Sequence, residues 1–240
     1  MNPIAITAGN GGWFAHAARM VCRRWNTLAA RIPDGFECID ASGLLPWKKV
    51  DHPDFIKGFL WDAVPAHVDT IVWIDCDCFQ VRPVGVSDLP NAAFAAVKDN
   101  DRTTNWVRPR WPPSHEVAEF FNAGVFIAGR ESLGAFEDLK RHASAHGEFG
   151  CNYAQEWLNL FVARRLARPD EGYCGWHQLD KEWNWLVENQ PPVHPIIVHL
   201  ASISWARDSI FEMFHKSAEE IERLLVKSQP GSSVPGLARN

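Results

Sequence analysis

The chain has 240 residues, 46% of them apolar and 22% charged, which is ordinary globular usage and excludes disorder and collagen-like repeats. Basic residues number 24 against 29 acidic, a net charge of −5, so nonspecific binding to duplex nucleic acid is not its main task. No run approaches ~18 apolar residues, so no membrane-spanning helix is expected. The first twenty residues lack the basic, apolar and small-residue order of a secretory leader, and six cysteines are too few for a disulfide framework. The cytoplasm is therefore the expected compartment.

Along the chain, short apolar runs alternate with helical patterns, the signature of an α/β layer fold. Residues 3–8 read as a strand running into the loop Gly9-Asn10-Gly11-Gly12. Residues 14–29 place Phe14, Ala17, Ala18, Val21, Trp25 and Leu28 at helical spacing. A strand fits 36–40, a helix 54–63, and a strand 70–75, whose β-branched and aromatic residues suit burial on both faces. Further strands fit 93–98, 123–128 and 195–200, and helices fit 131–143, 153–165 and 208–227. Residues 99–115, rich in Pro, Arg and Trp, read as a long functional loop. With neither internal repeat nor linker, 1–228 reads as one domain and 229–240 as a flexible tail.

The most informative stretch is Thr70-Ile71-Val72-Trp73-Ile74-Asp75-Cys76-Asp77. In extended chain, Asp75 and Asp77 share a side while Cys76 faces away. Two adjacent carboxylates are costly without a cation between them, and Mg²⁺ or Mn²⁺ prefers such oxygens. Ligands of α/β sheets also sit beyond the carboxyl ends of the strands. A bare Asp-x-Asp can equally be a solvated turn. Haloacid-dehalogenase-like phosphatases would need Thr or Val where Phe79 stands, and polymerase-beta-type nucleotidyltransferases an upstream Gly-Ser pair that is missing.

The segment DTIVWIDCDCFQVRPVGVSDL resembles the Asp-x-Asp region of GT-A-fold glycosyltransferases, family 8 above all. Arg82-Pro83 and Asp88-Leu89 follow the acidic pair in the family's order. Then come Phe121-Asn122-Ala123-Gly124-Val125-Phe126-Ile127, Gln155-Glu156-Trp157-Leu158-Asn159 and Ile197-Val198-His199-Leu200. Upstream, Ile56-Lys57-Gly58-Phe59 resembles a segment that brings a basic residue to the donor. The resemblance covers roughly residues 50–210 and implies an α/β GT-A fold, with a mixed, mostly parallel sheet between helices.

It also implies a nucleotide-sugar donor, a UDP-sugar first of all, bridged to the protein by Mn²⁺ (or Mg²⁺). Asp75, Asp77 and His199 would be the metal ligands. The loop beginning Thr7-Ala8-Gly9 would hold the nucleoside, although no full Gly-x-Gly-x-x-Gly fingerprint is present. Lys57, Asp75 and Cys76 would lie at the donor, and Asp99 and Asn122 at its sugar. Gln155 and Asp77 would be catalytic, with the sugar transferred in retained configuration. The acceptor stays open: a glycan, a protein, a small molecule or a modified nucleic-acid base.

Two departures stand out. The family's Asp-Gln pair is here Ala154-Gln155, so an amide remains where a carboxylate is lost. After His199 the run to Trp205 is short and lacks the family's Gly and Lys, leaving Arg207 as a substitute cation. These departures keep a second reading alive, a silent sugar-nucleotide- or glycan-binding domain. Of the twelve tryptophans, Trp25, Trp61 and Trp73 read as core. Trp106, Trp111, Trp183 and Trp185 fit either sugar or base stacking or packing beneath loops. Cys76 and Cys78 have no second close-spaced pair for a zinc site, with Cys151 and Cys174 isolated.

Overall fold

A computed structural model of the chain describes residues 1–50, 52–99, 117, 119–143, 154–186 and 194–199. The chain starts with strand β1 (Pro3–Thr7), helix α1 (Gly12–Ala29) and strand β2 (Cys38–Asp40), which pairs in parallel with β1. Strand β3 (Thr70–Ile74) joins the other side of β1, also in parallel. Strand β6 (Phe121–Gly129) runs antiparallel to β3 and to β5 (Phe94–Lys98), and β7 (His177–Leu179) lies parallel beyond β5. Among the described residues the main sheet thus has the order β2-β1-β3-β6-β5-β7, mixed and mostly parallel, as the sequence led us to expect. A second sheet is formed by β4 (Cys78–Gln80), β9 (Ile197–His199) and β8 (Trp185–Leu186), with β9 in the middle.

The unbroken hydrophobicity of β3 and β6 follows from burial of both sheet faces. Ile71, Trp73, Phe126 and Ala128 point into one core, with Phe94, Phe136, Leu158 and Phe161. Val72, Ile74, Val125 and Ile127 point into the other, with Val21, Trp25, Phe79 and Val198. The first core is covered by a 3-10 helix (Pro53–Asp62), by α2 (Leu133–Arg141) and by α3 (Ala154–Leu166). The second is covered by α1 and the small sheet. Trp25, Trp61 and Trp73 are buried, as expected.

Several elements differ from expectation. Segment 54–63 winds as a 3-10 rather than an α-helix. Its residues Phe55 to Trp61 are all buried, and a Cβ at Gly58 would lie 2.8 Å from the backbone nitrogen of Lys140. Packing on every side, rather than an exposed polar face, governs this segment. Phe14 is 46% exposed instead of joining the stripe of α1, because the helix starts at Gly12 and puts Phe14 on its first turn. Trp183 and Trp185 sit in the second core, so they pack rather than face an acceptor. The helix at 208–227, the tail, Arg207, Cys151 and most of the 99–115 loop with Trp106 and Trp111 lie outside the described residues. Among the described residues no helix is long and apolar enough to cross a membrane.

Helix α3 ties the sheet down with polar groups. Buried Asn159 accepts from the Phe121 nitrogen at 2.8 Å and donates to the Phe121 oxygen at 3.0 Å, closing the open end of β6. Asn159→Leu leaves both groups unpaired in the core and should lower unfolding free energy by about 2–4 kcal/mol in urea titrations. A loss below ~0.5 kcal/mol would show that β6 does not depend on this clasp.

Its neighbour Glu156 is buried, and Oε2 has no partner among the described residues. Burial pushes its carboxyl up to about 7, against the pull of its own backbone N–H and with repulsion from Asp54 and Asp99 adding to it. The folded chain therefore keeps a proton that the unfolded chain releases above its ordinary value of 4.5. That contribution to stability is full below about 4.5 and is lost as pH rises through about 7. Glu156→Gln should accordingly gain about 3 kcal/mol relative to wild type between pH 4.5 and 8. A difference between the two that is flat with pH would contradict this.

Candidate active site at the carboxyl edge of the sheet

Strands β1, β3 and β5 run the same way, so Thr7, Asp75 and Asp99 all emerge at one sheet edge. Reversed β6 brings its first residues, Phe121 to Gly124, to that edge as well. The residues singled out in the sequence thus converge through topology.

The acidic pair itself does not lie in extended chain. Strand β3 ends at Ile74, and the Cys78 nitrogen donates to the Asp75 oxygen at 3.0 Å, closing a turn with Cys76 and Asp77 at its centre. The expected side-by-side alternation of Asp75 and Asp77 is therefore replaced by divergence, and each carboxylate finds its own partner. Asp75 receives Trp73 Nε1–H at 2.6 Å and the Lys57 ammonium at 3.0 Å. Lys57, buried in the 3-10 helix, also donates to the Ala123 oxygen at 3.0 Å. Asp77 instead meets His199, whose Nε2 stands 3.4 Å from its Oδ1.

His199 reaches Asp77 because β9 pairs antiparallel with β4, opposite Cys78. Arg82 fastens this arrangement, donating to the Pro195 oxygen at 3.3 Å and to Glu182 at 2.7 Å. The Arg-Pro of the motif thus steadies the strand that carries the histidine, whereas Asp88 accepts from the Gly85 nitrogen in a local turn. Gly124 leaves room for the ring, since a Cβ there would stand 2.1 Å from His199 Cε1.

The electrostatics follow these pairings. Burial would raise the Asp77 carboxyl, yet His199 holds it below its ordinary value. Burial would lower His199, yet Asp77 raises it. Asp75 is raised by burial and by Asp77 against the pull of Lys57, and Lys57 is raised by Asp75 in spite of its burial. Both thiols of the turn, Cys76 and Cys78, are pushed up by burial and by the two acids, so they stay protonated.

Asp77, Cys78 and His199 offer ligand atoms within 4.8 Å of one another, a group that can hold a metal ion. Cys78 is the member sequence reasoning missed, since only the β4–β9 pairing brings it to His199. Within this group the carboxylate and the imidazole suit a divalent cation such as Mn²⁺ or Mg²⁺, with the Cys78 thiol beside them. Asp75, with its oxygens on Lys57 and Trp73, lies beside this group rather than in it.

At the same edge, Gln155 Oε1 accepts from the Ala123 nitrogen at 2.9 Å and its Nε2 donates to Asp99 Oδ2 at 2.7 Å. Ala154 beside it is fully buried, and Asp99 is the carboxylate that lies against the Gln155 amide. Asn122 Oδ1 accepts from the Gly124 nitrogen at 2.9 Å. In the first loop, Thr7 and Ala8 are buried and Thr7 Oγ1 has no partner among the described residues. The Gly9 nitrogen donates to Ser42 Oγ at 3.0 Å, and a Cβ on Gly9 would stand 2.1 Å from the Phe14 oxygen. Gly11 holds a φ of 75°, which favours glycine. Gly9 and Gly11 are thus required by the tight turn into α1.

No protein-family model matches the chain, and no curated protein matches it. Solved structures do. A glycosyltransferase involved in glycosylation of the major capsid of PBCV-1 shares 16% identity at a TM-score of 0.60, over 88% of this chain and 98% of that one. The bifunctional glycosyltransferase WbbM shares 15% at 0.58, over 94% of this chain and 51% of its own. GlyE of Streptococcus pneumoniae TIGR4 shares 16% at 0.53, over 95% and 66%. The chain spans about half of WbbM and about two thirds of GlyE. What these proteins have in common with this chain is the fold, and that fold is the GT-A architecture of glycosyltransferases.

Proposed function

We propose that the chain is a metal-dependent glycosyltransferase that moves a sugar from a nucleotide-sugar, a UDP-sugar first of all, to an acceptor hydroxyl with retention of configuration. The observation that carries this reading is the meeting of Asp77 and His199 beside Asp75 at the carboxyl edge of a GT-A sheet. Asp77 and His199 would hold Mn²⁺ or Mg²⁺, with Asp75 beside them. Bound there, the cation would supply Lewis-acid stabilisation to the departing nucleoside diphosphate.

The remaining residues have roles that suit their surroundings. Thr7, Ala8 and Gly9 line the edge where the nucleoside would rest, and Thr7 offers there a hydroxyl with no partner among the described residues. Lys57 and Trp73 hold the Asp75 carboxylate in place. Cys76 contributes its backbone at the centre of the turn. Asp99 and Asn122 would meet donor-sugar hydroxyls, and Gln155 the anomeric carbon. Gln155 is oriented by Ala123 and Asp99, with Oε1 retaining a lone pair that favours developing positive charge on the sugar ring. An amide is a poor nucleophile, so transfer on one face fits better. There the acceptor oxygen bonds to the anomeric carbon, the bond to phosphate oxygen breaks, and the acceptor's proton passes to that leaving oxygen.

Release of UDP from a panel of UDP-sugars with Mn²⁺ tests the reading. Asp77→Asn should lower turnover by about 100-fold, ~3 kcal/mol of lost charge stabilisation, while its melting temperature stays within a few degrees of wild type. Tight UDP-sugar binding with no turnover of any donor would favour the silent binding domain instead.

A further inference from the structure

Asn184, the last residue of the 3-10 helix Lys181–Asn184, is 2% exposed and touches the candidate metal ligand His199. The polarity of its contacts is fixed from one end. The Gly124 backbone N–H can only donate, so the Asn122 atom 2.9 Å away is Oδ1. Asn184 approaches that same oxygen at 2.8 Å and must donate to it through Nδ2. Its Oδ1 is then the atom 3.0 Å from His199 Nδ1, and the ring must supply the hydrogen. Reversing the Asn184 amide would set oxygen against oxygen in a buried place, at a cost of about 1–3 kcal/mol.

We infer that Asn184 is a positioning residue that fixes the Nδ1–H of His199, which leaves Nε2, the ring nitrogen on the Asp77 side, to take the cation. Gly124 and Asn122 set the direction of the chain, and Gly124 also admits the ring against the backbone of β6. Metal-bound histidines commonly depend on such a partner for tautomer and orientation. This inference rests on the metal-dependent reading above, but its first readout needs neither metal nor turnover.

The experiment uses the full chain labelled with ¹⁵N-histidine, metal-free, at a pH where the imidazole is neutral. His199 is assigned by the resonance lost in His199→Gln. Long-range ¹H–¹⁵N correlations should show the Nδ1–H form in wild type and in Asn184→Asp, whose carboxylate still accepts. Asn184→Leu should show the Nε2–H form or a mixture. In the presence of UDP, Mn²⁺ affinity followed by electron paramagnetic resonance should fall about 10- to 100-fold in Asn184→Leu. An Nε2–H ring in wild type overturns the inference, as does Asn184→Leu with unchanged tautomer and Mn²⁺ affinity. If wild type shows the Nδ1–H form lost in Asn184→Leu yet takes up no Mn²⁺, the tautomer assignment is supported and the metal reading fails. The wild-type spectrum decides even if Asn184→Leu does not fold.

Discussion

Two carboxylates at the tip of a fully buried strand are the constraint around which this molecule is arranged. Asp75 and Asp77 lie two residues apart in a tight turn, where water cannot fully screen them. Each is matched by a basic group from a distant part of the chain: Lys57 from the 3-10 helix under the sheet, and the His199 imidazole from the middle strand of the small sheet. Bringing those two groups in requires the rest. The 3-10 helix is buried along most of its length, and β9 is held against β4 by backbone pairing and by Arg82.

The reversed direction of β6 is the second organising feature. Its ladder with β3 and β5 runs out at the sheet's carboxyl edge, where unpaired backbone groups would be costly. Side chains take their place. Asn159 closes on Phe121, Gln155 and Lys57 close on Ala123, and Asn122 closes on Gly124. Three residues of the candidate site, Lys57, Asn122 and Gln155, thus also finish a strand. Backbone N–H groups orient the Asn122 and Gln155 amides, and Asn122 passes that polarity on to Asn184, so all three present atoms of known polarity. Such preorganisation suits a site that must stabilise charge as it develops.

The elements most legible in the sequence were those with a strong periodic signal. Strands β1, β3, β5 and β6 show as apolar runs, and α3 and α1 within two residues of their ends. The acidic pair, His199, Asp99, Asn122 and Gln155 were found as motif positions, and topology gathers them. Strands β4, β7 and β8 were missed because two or three residues carry no period. The turn at Asp75–Cys78 was read as extended chain since only the Asp75 oxygen, bonded to the Cys78 nitrogen, distinguishes the two. Cys78 depends on a pairing between segments more than a hundred residues apart, and Asn184 on polarity passed to it through Asn122. No local pattern encodes either. Trp183 and Trp185 had compatible surroundings for stacking or packing in the sequence, and the second core claimed them.

The central claim is that the cation belongs between Asp77 and His199, and anomalous scattering tests it most directly. Crystals grown with MnCl₂ and UDP, measured where manganese scatters anomalously, should show one strong peak within bonding distance of Asp77 oxygen and His199 Nε2, continuous with the diphosphate. A peak bound elsewhere on the chain, or a diphosphate seated with no metal peak, would contradict the account.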